Sequence, residues 1–140
     1  MSDAPPVKGV ILAHGKMAEG LLDAVARISG MTEGTLIAVS NQGKSPEALN
    51  QEITDLLDEG PTIVFTDLPS GSCAVTARIC SRERGEGAVV FGVNLPVLLD
   101  FVFHREMPIH QLVPRLLNKG RENLTSAPEF AADAHRSSSG

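Results

Sequence analysis

The sequence contains no tryptophan and no tyrosine, and five phenylalanines are scattered along its 140 residues. It also lacks an excess of basic charge, since 12 Lys and Arg stand against 17 Asp and Glu, for a formal net charge of −5. Proteins that bind nucleic acid usually carry a basic stripe, and many add aromatic side chains on which bases stack. The composition therefore argues against a nucleic-acid partner.

Long apolar runs and paired cysteines are missing as well. No apolar run approaches the ~20 residues that span a bilayer, and residues 1–6 are polar and proline-rich, without the hydrophobic core of a secretory signal. Cys73 and Cys80 are seven positions apart, which is neither a C-x-x-C pair nor a disulfide framework. We therefore expect a protein of the reducing cytoplasm with no direct membrane insertion.

The remaining composition is typical of one globular domain. A chain of 140 residues that is 42% hydrophobic and 21% charged is long enough for a single core. From residue 125 onward the sequence turns to Ser, Ala and Pro without a buried pattern. We expect one domain over residues 1–124, followed by a flexible tail over residues 125–140.

Short apolar runs alternate with amphipathic stretches of helical length. The runs at residues 7–13, 36–39, 62–66 and 88–91 are rich in β-branched side chains and predict four strands. Strand–helix repeats of this length indicate βαβ units and a parallel sheet. The expected fold is α/β, with an open, doubly wound, mainly parallel four-stranded sheet of order 2-1-3-4 and helices on both faces.

The last predicted helix opens at Pro108, runs to about Asn118 and stops at Gly120, because proline favours the first turn of a helix and glycine its end. Pro114 lies inside this range. Because proline removes a helical hydrogen bond, a late start or a kink is expected there.

Ligands of open parallel sheets bind beyond the carboxyl ends of the strands, near the point where the strand order reverses. His14 and Gly15 follow the first predicted strand, residues 41–44 the second, Asp67 the third and Asn94 the fourth. We expect Gly15 and Asn94 to line the cleft, although a helix-opening turn explains Asn94 equally well.

His14 and Asp67 are the candidate catalytic residues at this edge. If the first and third strands are neighbours, both side chains enter one cleft. A carboxylate bonded to one imidazole nitrogen fixes the tautomer and makes the other nitrogen a nucleophile. Each residue alone has a simpler explanation, His14 as a loop residue that caps a helix or fills a gap, and Asp67 as a cap of a turn.

A small, flexible segment follows Asp67 and opens the next helix. Its residues are Ser70, Gly71, Ser72 and Cys73. Exposed N–H groups and the positive end of the helix dipole form an anion site suited to a phosphoryl group, although Ser72 alone is explained by an N-cap. Together with His14 and Asp67, this segment describes a phosphohistidine acceptor. No metal-ligand spacing is present, so no metal and no cofactor are expected.

Three co-linear motifs resemble the enzyme IIA domain of the mannose/fructose/sorbose family of the bacterial phosphoenolpyruvate-dependent sugar phosphotransferase system. They are G-V-I-L-A-H-G-K-M-A-E-G-L (residues 9–21), V-F-T-D-L-P-S-G-S (residues 64–72) and G-V-N-L-P-V-L-L-D (residues 92–100). The later K-G-R-E-N-L (residues 119–124) is similar to the end of the family's last helix. The resemblance covers residues 7–124. One departure is Ser-Gly-Ser-Cys at residues 70–73, where the family commonly has Gly-Gly-Ser-Pro.

The resemblance implies that His14 is phosphorylated, that Asp67 is its hydrogen-bond partner and that Ser72 donates to phosphoryl oxygens. It implies a phosphotransferase that accepts a phosphoryl group from the histidine-containing phosphocarrier protein and passes it to an enzyme IIB component for sugar uptake and phosphorylation. Association with membrane permease subunits stays open. It also implies a homodimer in which a fifth, antiparallel edge strand, for which residues 123–126 are the candidate, crosses to the partner's sheet.

Two alternatives stay open. One is the phosphoryl-donor subunit of dihydroxyacetone kinase, which has a similar fold and histidine, and the other is a regulatory domain whose phosphorylation state is read by another protein. A serine hydrolase built from Ser72, His14 and Asp67 is disfavoured, because no G-x-S-x-G elbow is present and the histidine comes too early in the chain. A receiver domain needs acidic residues after the first strand, where this chain has His14.

Overall fold

A computed structural model of the chain describes residues 5–130, which form alternating strands and helices. The strands are β1 (Lys8–Ala13), β2 (Leu36–Ser40), β3 (Thr62–Thr66) and β4 (Gly87–Val90). The helices are α1 (Met17–Ser29), α2 (Pro46–Leu56), α3 (Ser72–Arg82), α4 (Leu95–Phe103) and α5 (Ile109–Glu122). Residues 1–4, and residues 131–140 of the predicted tail, lie outside the described range.

The four strands form one sheet in the order β2-β1-β3-β4, and every pair of neighbours is parallel. Val10 of β1 lies beside Ile37 of β2 on one side and Val64 of β3 on the other. The expected α/β class and strand order are confirmed. The order reverses at β1 and β3, so the carboxyl ends of these two strands, which carry His14 and Asp67, meet at one edge.

Helices cover both faces of the sheet. Ile11 and Phe65 belong to a core that also contains buried side chains of α1, α4 and α5. Their neighbours Val10, Leu12 and Val64 belong to a second core, with α2 and α3. Side chains alternate between the two faces of a strand, so the nearly unbroken apolar runs of β1 and β3 supply both cores.

Local sequence signals account for the start of α2 and the end of α1. Ser45 caps α2, because its hydroxyl accepts a hydrogen bond from the N–H of Ala48 over 3.1 Å. Gly30 closes α1 with φ +66°, in the left-handed region that favours glycine, and its N–H donates to the carbonyl of Ala26.

The predicted end of the last helix is wrong. α5 continues through Pro114 and past Gly120 to Glu122. A Cβ at position 120 would lie 2.6 Å from Cγ2 of Val97 on α4, and the Gly120 carbonyl accepts a hydrogen bond from Asn94 Nδ2 over 3.1 Å. Gly120 therefore allows α5 to pack closely against the start of α4, and it does not end the helix.

The chain beyond α5 has no regular structure as far as it is described. Asn123 caps α5, and residues 124–130 are exposed and form neither a helix nor a strand. Exchange of residues 123–126 requires a second copy of the chain, so the crossing strand stays a prediction. None of the helices between residues 5 and 130 has the length and apolar character needed to cross a membrane.

Candidate functional site

His14 directly follows β1, and its backbone is held on two sides. Its N–H donates to Asp67 Oδ2 over 2.9 Å, and its carbonyl accepts the N–H of Met17, at the start of α1, over 3.2 Å. Gly15 adopts φ +59°, which lets the chain turn from β1 towards α1. Ser40, at the end of β2, donates its hydroxyl to the Gly15 carbonyl over 2.9 Å. These contacts fix His14 at the carboxyl edge of the sheet.

The expected contact between the His14 and Asp67 side chains is present. Nδ1 of His14 lies 2.7 Å from Oδ2 of Asp67, while Oδ1 of Asp67 accepts the N–H of Leu68 over 3.0 Å. The Asp67 side chain is 9% exposed and the His14 side chain 46%. Because the carboxylate is an acceptor, it assigns the proton of the neutral imidazole to Nδ1 and leaves a lone pair on Nε2.

Asp67 is ionised at neutral pH. Its partial burial opposes the charge, but hydrogen bonds from the backbone and ring of His14, and attraction to the imidazolium form, hold the pKa of Asp67 below its usual value. A fixed negative charge at Nδ1 stabilises positive charge on the ring. It therefore favours any reaction in which the Nε2 lone pair forms a new bond and the ring becomes positively charged.

The segment before α3 lies against the imidazole. A Cβ at Gly71 would be 4.0 Å from His14 Cε1, and Gly71 adopts φ +96° as the N-cap residue of α3, without a side-chain cap. Ser72 is therefore the first helical residue, and the N-cap explanation for it is wrong. The first turn of α3 contains no acidic residue, so its N–H groups and positive dipole end suit an anion beside His14.

The Ser72 hydroxyl has a partner from another loop. It accepts a hydrogen bond from Nδ2 of Asn41, directly after β2, over 3.1 Å. Sequence reasoning placed residues 41–44 at the end of the second strand but gave Asn41 no role. The position of Asn41 directly after a strand was a signal that it lies near the site. Its contact with Ser72 could not be predicted from spacing, because the two residues are 31 positions apart.

Cys73 brings a third functional side chain to His14. It is fully buried on α3, and its Sγ lies 3.8 Å from His14 Nδ1. Burial, with a smaller contribution from the charge of Asp67, raises the pKa of the Cys73 thiol to about 11. One ligand atom from each of His14, Asp67 and Cys73 can be chosen so that all three lie within 4.8 Å of one another. Sequence spacing did not indicate this cluster, because Cys73 and His14 are 59 positions apart.

Two other predicted site residues do not contact this cluster through their side chains. Asn94 Oδ1 caps α4 by accepting the N–H of Val97 over 3.1 Å, and its Nδ2 donates to Gly120. This is the helix-opening role given above as the alternative to lining the cleft. Ser70 is exposed in the loop before Gly71.

Solvent reaches the His14 ring directly, because nearly half of its side chain is exposed. A cavity of about 490 Å³ lies at the opposite end of the sheet, where Gly60 precedes β3 and Glu86 precedes β4. Glu59, Glu83 and Glu86 line it together with Arg84, and the excess of negative charge disfavours a phosphorylated ligand there. The half-exposed His14 imidazole instead lies at a surface that a second macromolecule can reach.

A family model matches most of the chain. The family model described as "PTS system fructose IIA component" matches residues 8–114. The chain belongs to this family. The matched range spans all four strands and includes His14, Asp67 and residues 70–73. The resemblance seen in the sequence motifs is confirmed, and with it membership of a group of phosphotransferase-system components.

Solved structures of IIA components share the fold. The phosphotransferase system component EIIA from Streptococcus agalactiae is 25% identical with a TM-score of 0.79, and the alignment covers 86% of this chain and 96% of that one. The mannose/sorbose specific IIA subunit from Enterococcus faecalis is 20% identical with a TM-score of 0.77, over 91% of this chain and 100% of that one.

A more distant neighbour is described as a sigma-54 interaction domain protein from Enterococcus faecalis. It is 17% identical with a TM-score of 0.62, over 89% of this chain and 100% of that one. At this identity, and at that of the Enterococcus IIA subunit, the likeness concerns the fold alone.

Proposed function

We propose that this chain is a phosphohistidine carrier of the sugar phosphotransferase system. In this proposal, His14 accepts a phosphoryl group from the histidine-containing phosphocarrier protein and passes it to an enzyme IIB component in the cytoplasm. The observation that carries it is the 2.7 Å pair between His14 Nδ1 and Asp67 Oδ2, which leaves Nε2 as the free nitrogen of a half-exposed ring.

The transfer step follows from this geometry. The Nε2 lone pair of His14 attacks the phosphorus, the nitrogen–phosphorus bond of the donor breaks, and the donor imidazole keeps the electron pair of that bond. The proton on Nδ1 stays bonded to Asp67, whose charge stabilises the positive ring. Reversal of the step with a second protein unloads His14. Phosphoryl transfer depends mostly on positioning and on charge stabilisation, so a carboxylate and a helix N-terminus suffice without a cofactor.

The loop and helix beside His14 supply the donors for phosphoryl oxygens. In the proposal, the N–H groups of Gly71, Ser72 and Cys73 point at these oxygens, with the Ser72 hydroxyl as a further donor and Ser70 at the rim. Asn41 orients that hydroxyl, because the hydroxyl accepts from the Asn41 amide and so keeps its own proton available to donate. Donors fixed in advance act most strongly in the transition state.

The surface around His14 suits a protein partner. Three large apolar side chains are exposed on the segments that flank the ring: Met17 at 42%, Leu68 at 52% and Val75 at 48%. Apolar side chains around a half-exposed reactive group fit transient docking by partners that bind and leave.

The proposal is tested by phosphorylation of the purified chain with phosphoenolpyruvate, enzyme I and the phosphocarrier protein. We expect one acid-labile phosphate per chain, lost in His14→Ala and retained in His110→Ala, which removes an exposed histidine of α5. Phosphate that persists in His14→Ala contradicts the proposal. Label that moves on to a dihydroxyacetone kinase and not to an enzyme IIB component assigns the chain to that alternative.

A further inference from the structure

We propose that His14, Asp67 and Cys73 also form a zinc site, and that zinc bound there blocks phosphorylation of His14. The binding part depends only on the geometry of the three side chains. The blocking part rests on the proposed function. No zinc is needed for the transfer step described above, so the metal acts as an inhibitor of the carrier.

The distances fit a tetrahedral zinc ion. With Zn–N near 2.0–2.1 Å and Zn–S near 2.3 Å, nitrogen and sulfur ligands lie about 3.6 Å apart. Nδ1 of His14 and Sγ of Cys73 are 3.8 Å apart. Nitrogen and oxygen ligands lie about 3.4 Å apart on zinc, against 2.7 Å between Nδ1 and Asp67 Oδ2. The third pair, an Asp67 carboxylate oxygen and Cys73 Sγ, lies within 4.8 Å, against about 3.6 Å on zinc. Zinc therefore replaces the hydrogen bond after side-chain shifts of about 1 Å.

The ligand types select a borderline-soft divalent ion. Imidazole nitrogen, carboxylate oxygen and thiolate sulfur are the three ligand classes of protein zinc sites, and three protein ligands leave a fourth position for water. Binding releases the thiol proton of Cys73 to solvent. The charges of the carboxylate and thiolate then balance those of the metal. The exposed side of His14 gives the ion access, and the buried sulfur lies behind it.

Bound zinc removes the nucleophile. The metal takes the lone pair of Nδ1, so the single proton of the neutral imidazole moves from Nδ1 to Nε2. Nε2 then has no lone pair with which to attack phosphorus, and Asp67 is bonded to the metal instead of the ring. Zinc and the phosphoryl group therefore exclude each other, although they use different nitrogens of the same side chain.

The chain provides a matched control for the thiol. Cys80 is also buried on α3 and belongs, like Cys73, to the core that α2 and α3 form with the sheet. Its sulfur is not part of the cluster at His14. Cys80→Ala therefore removes a buried thiol of the same helix while leaving the proposed ligands in place.

Cobalt(II) added to the purified, metal-free protein tests binding. We expect a thiolate-to-cobalt charge-transfer band that saturates at one equivalent and is displaced by zinc. The band should be retained in Cys80→Ala and lost in Cys73→Ala and in the closer-sized Cys73→Ser, with thermal unfolding used to verify that the variants fold. A wild-type protein without the band, or a band that persists in both Cys73 variants, overturns the proposal.

Blocking is tested with phosphocarrier protein that has been phosphorylated and then separated from enzyme I. Each variant is compared with itself with and without zinc. At free zinc of ten times Kd, about one chain in eleven is metal-free, so the initial rate should fall about tenfold in wild type and Cys80→Ala. The zinc effect should be absent in Cys73→Ala. Saturating zinc that leaves the wild-type rate unchanged overturns the blocking part. A wild-type chain that takes no phosphate even without zinc contradicts the proposed function instead, and the cobalt band still decides the metal site.

Discussion

Asp67 determines which nitrogen His14 presents. We expect Asp67→Asn to slow phosphoryl transfer, because an amide can still accept the His14 N–H but carries no charge to stabilise the positive ring. Losing one preorganised interaction commonly costs about 10²–10³ in rate, and in a half-exposed site the loss should lie at or below the lower value. Single-turnover phosphorylation measures it. A normal rate in a folded Asp67→Asn protein would mean that the carboxylate serves only the loop.

Ser72 should contribute less than Asp67. Ser72→Ala removes one donor to the phosphoryl oxygens while the N–H groups of α3 remain, so we expect a slower rate with an almost unchanged thermal midpoint. Ser45→Ala is the matched control, since it removes a helix cap and should cost about 1 kcal/mol of stability without changing the rate. Equal rates for the two variants would remove Ser72 from the transfer site.

The pairing of His14 with Asp67 and the approach of residues 70–73 could be predicted from sequence, but the contacts of the Asn41 amide and the Cys73 thiol could not. Residues that follow neighbouring parallel strands meet at the carboxyl edge of the sheet. This rule predicts that His14 and Asp67 lie together although they are 53 positions apart. Asn41 and Cys73 reach the site through side-chain directions that no periodicity encodes. Asn94 occupies a strand-end position too, yet the approach of α5 turns its amide towards Gly120.

Among the elements, the contact between α4 and α5 gives the sharpest test of packing. Gly120→Ala places a methyl group 2.6 Å from Val97 Cγ2. Overpacking of this kind costs about 1–3 kcal/mol, against about 1 kcal/mol gained from replacing a helical glycine, so we expect net destabilisation.

Gly20→Ala should have the opposite effect on stability to Gly120→Ala. Gly20 lies inside α1 with open space where its Cβ would be, so the gain of about 1 kcal/mol should appear alone. Denaturant unfolding of both variants checks the pair. Stabilisation by Gly120→Ala would contradict the close packing of α5 on α4.

A helix end can be predicted from sequence where residues next to it in the chain determine it. Gly30 and Ser45 each act within one turn of the helix that they close or cap. Gly120 was misread because a glycine that ends a helix and a glycine that admits a neighbouring helix look alike in sequence. Only the tertiary contact with Val97 separates them.

For the whole molecule, the open edge of the sheet favours a second copy of the chain. Within residues 5–130, β4 pairs with β3 alone, and Leu124 and Phe130 beyond α5 are 85% and 65% exposed. Pairing of β4 with residues 123–126 of another chain would cover both the edge and the apolar side chains. Light scattering should give twice the 14.8 kDa chain mass, and a chain truncated after Glu122 should lose that association. A monomer of the intact chain at micromolar concentration would contradict the exchange.

The central claim is that Asp67 holds Nδ1 of His14 so that Nε2 carries the phosphoryl group. Phosphorylation of protein labelled with ¹⁵N in its histidines, followed by ³¹P and ¹⁵N NMR, reads this atom directly. We expect one phosphohistidine per chain, at His14, with phosphorus coupled to Nε2 and a proton on Nδ1. Coupling to Nδ1, or a phosphate on any other residue, would contradict the account.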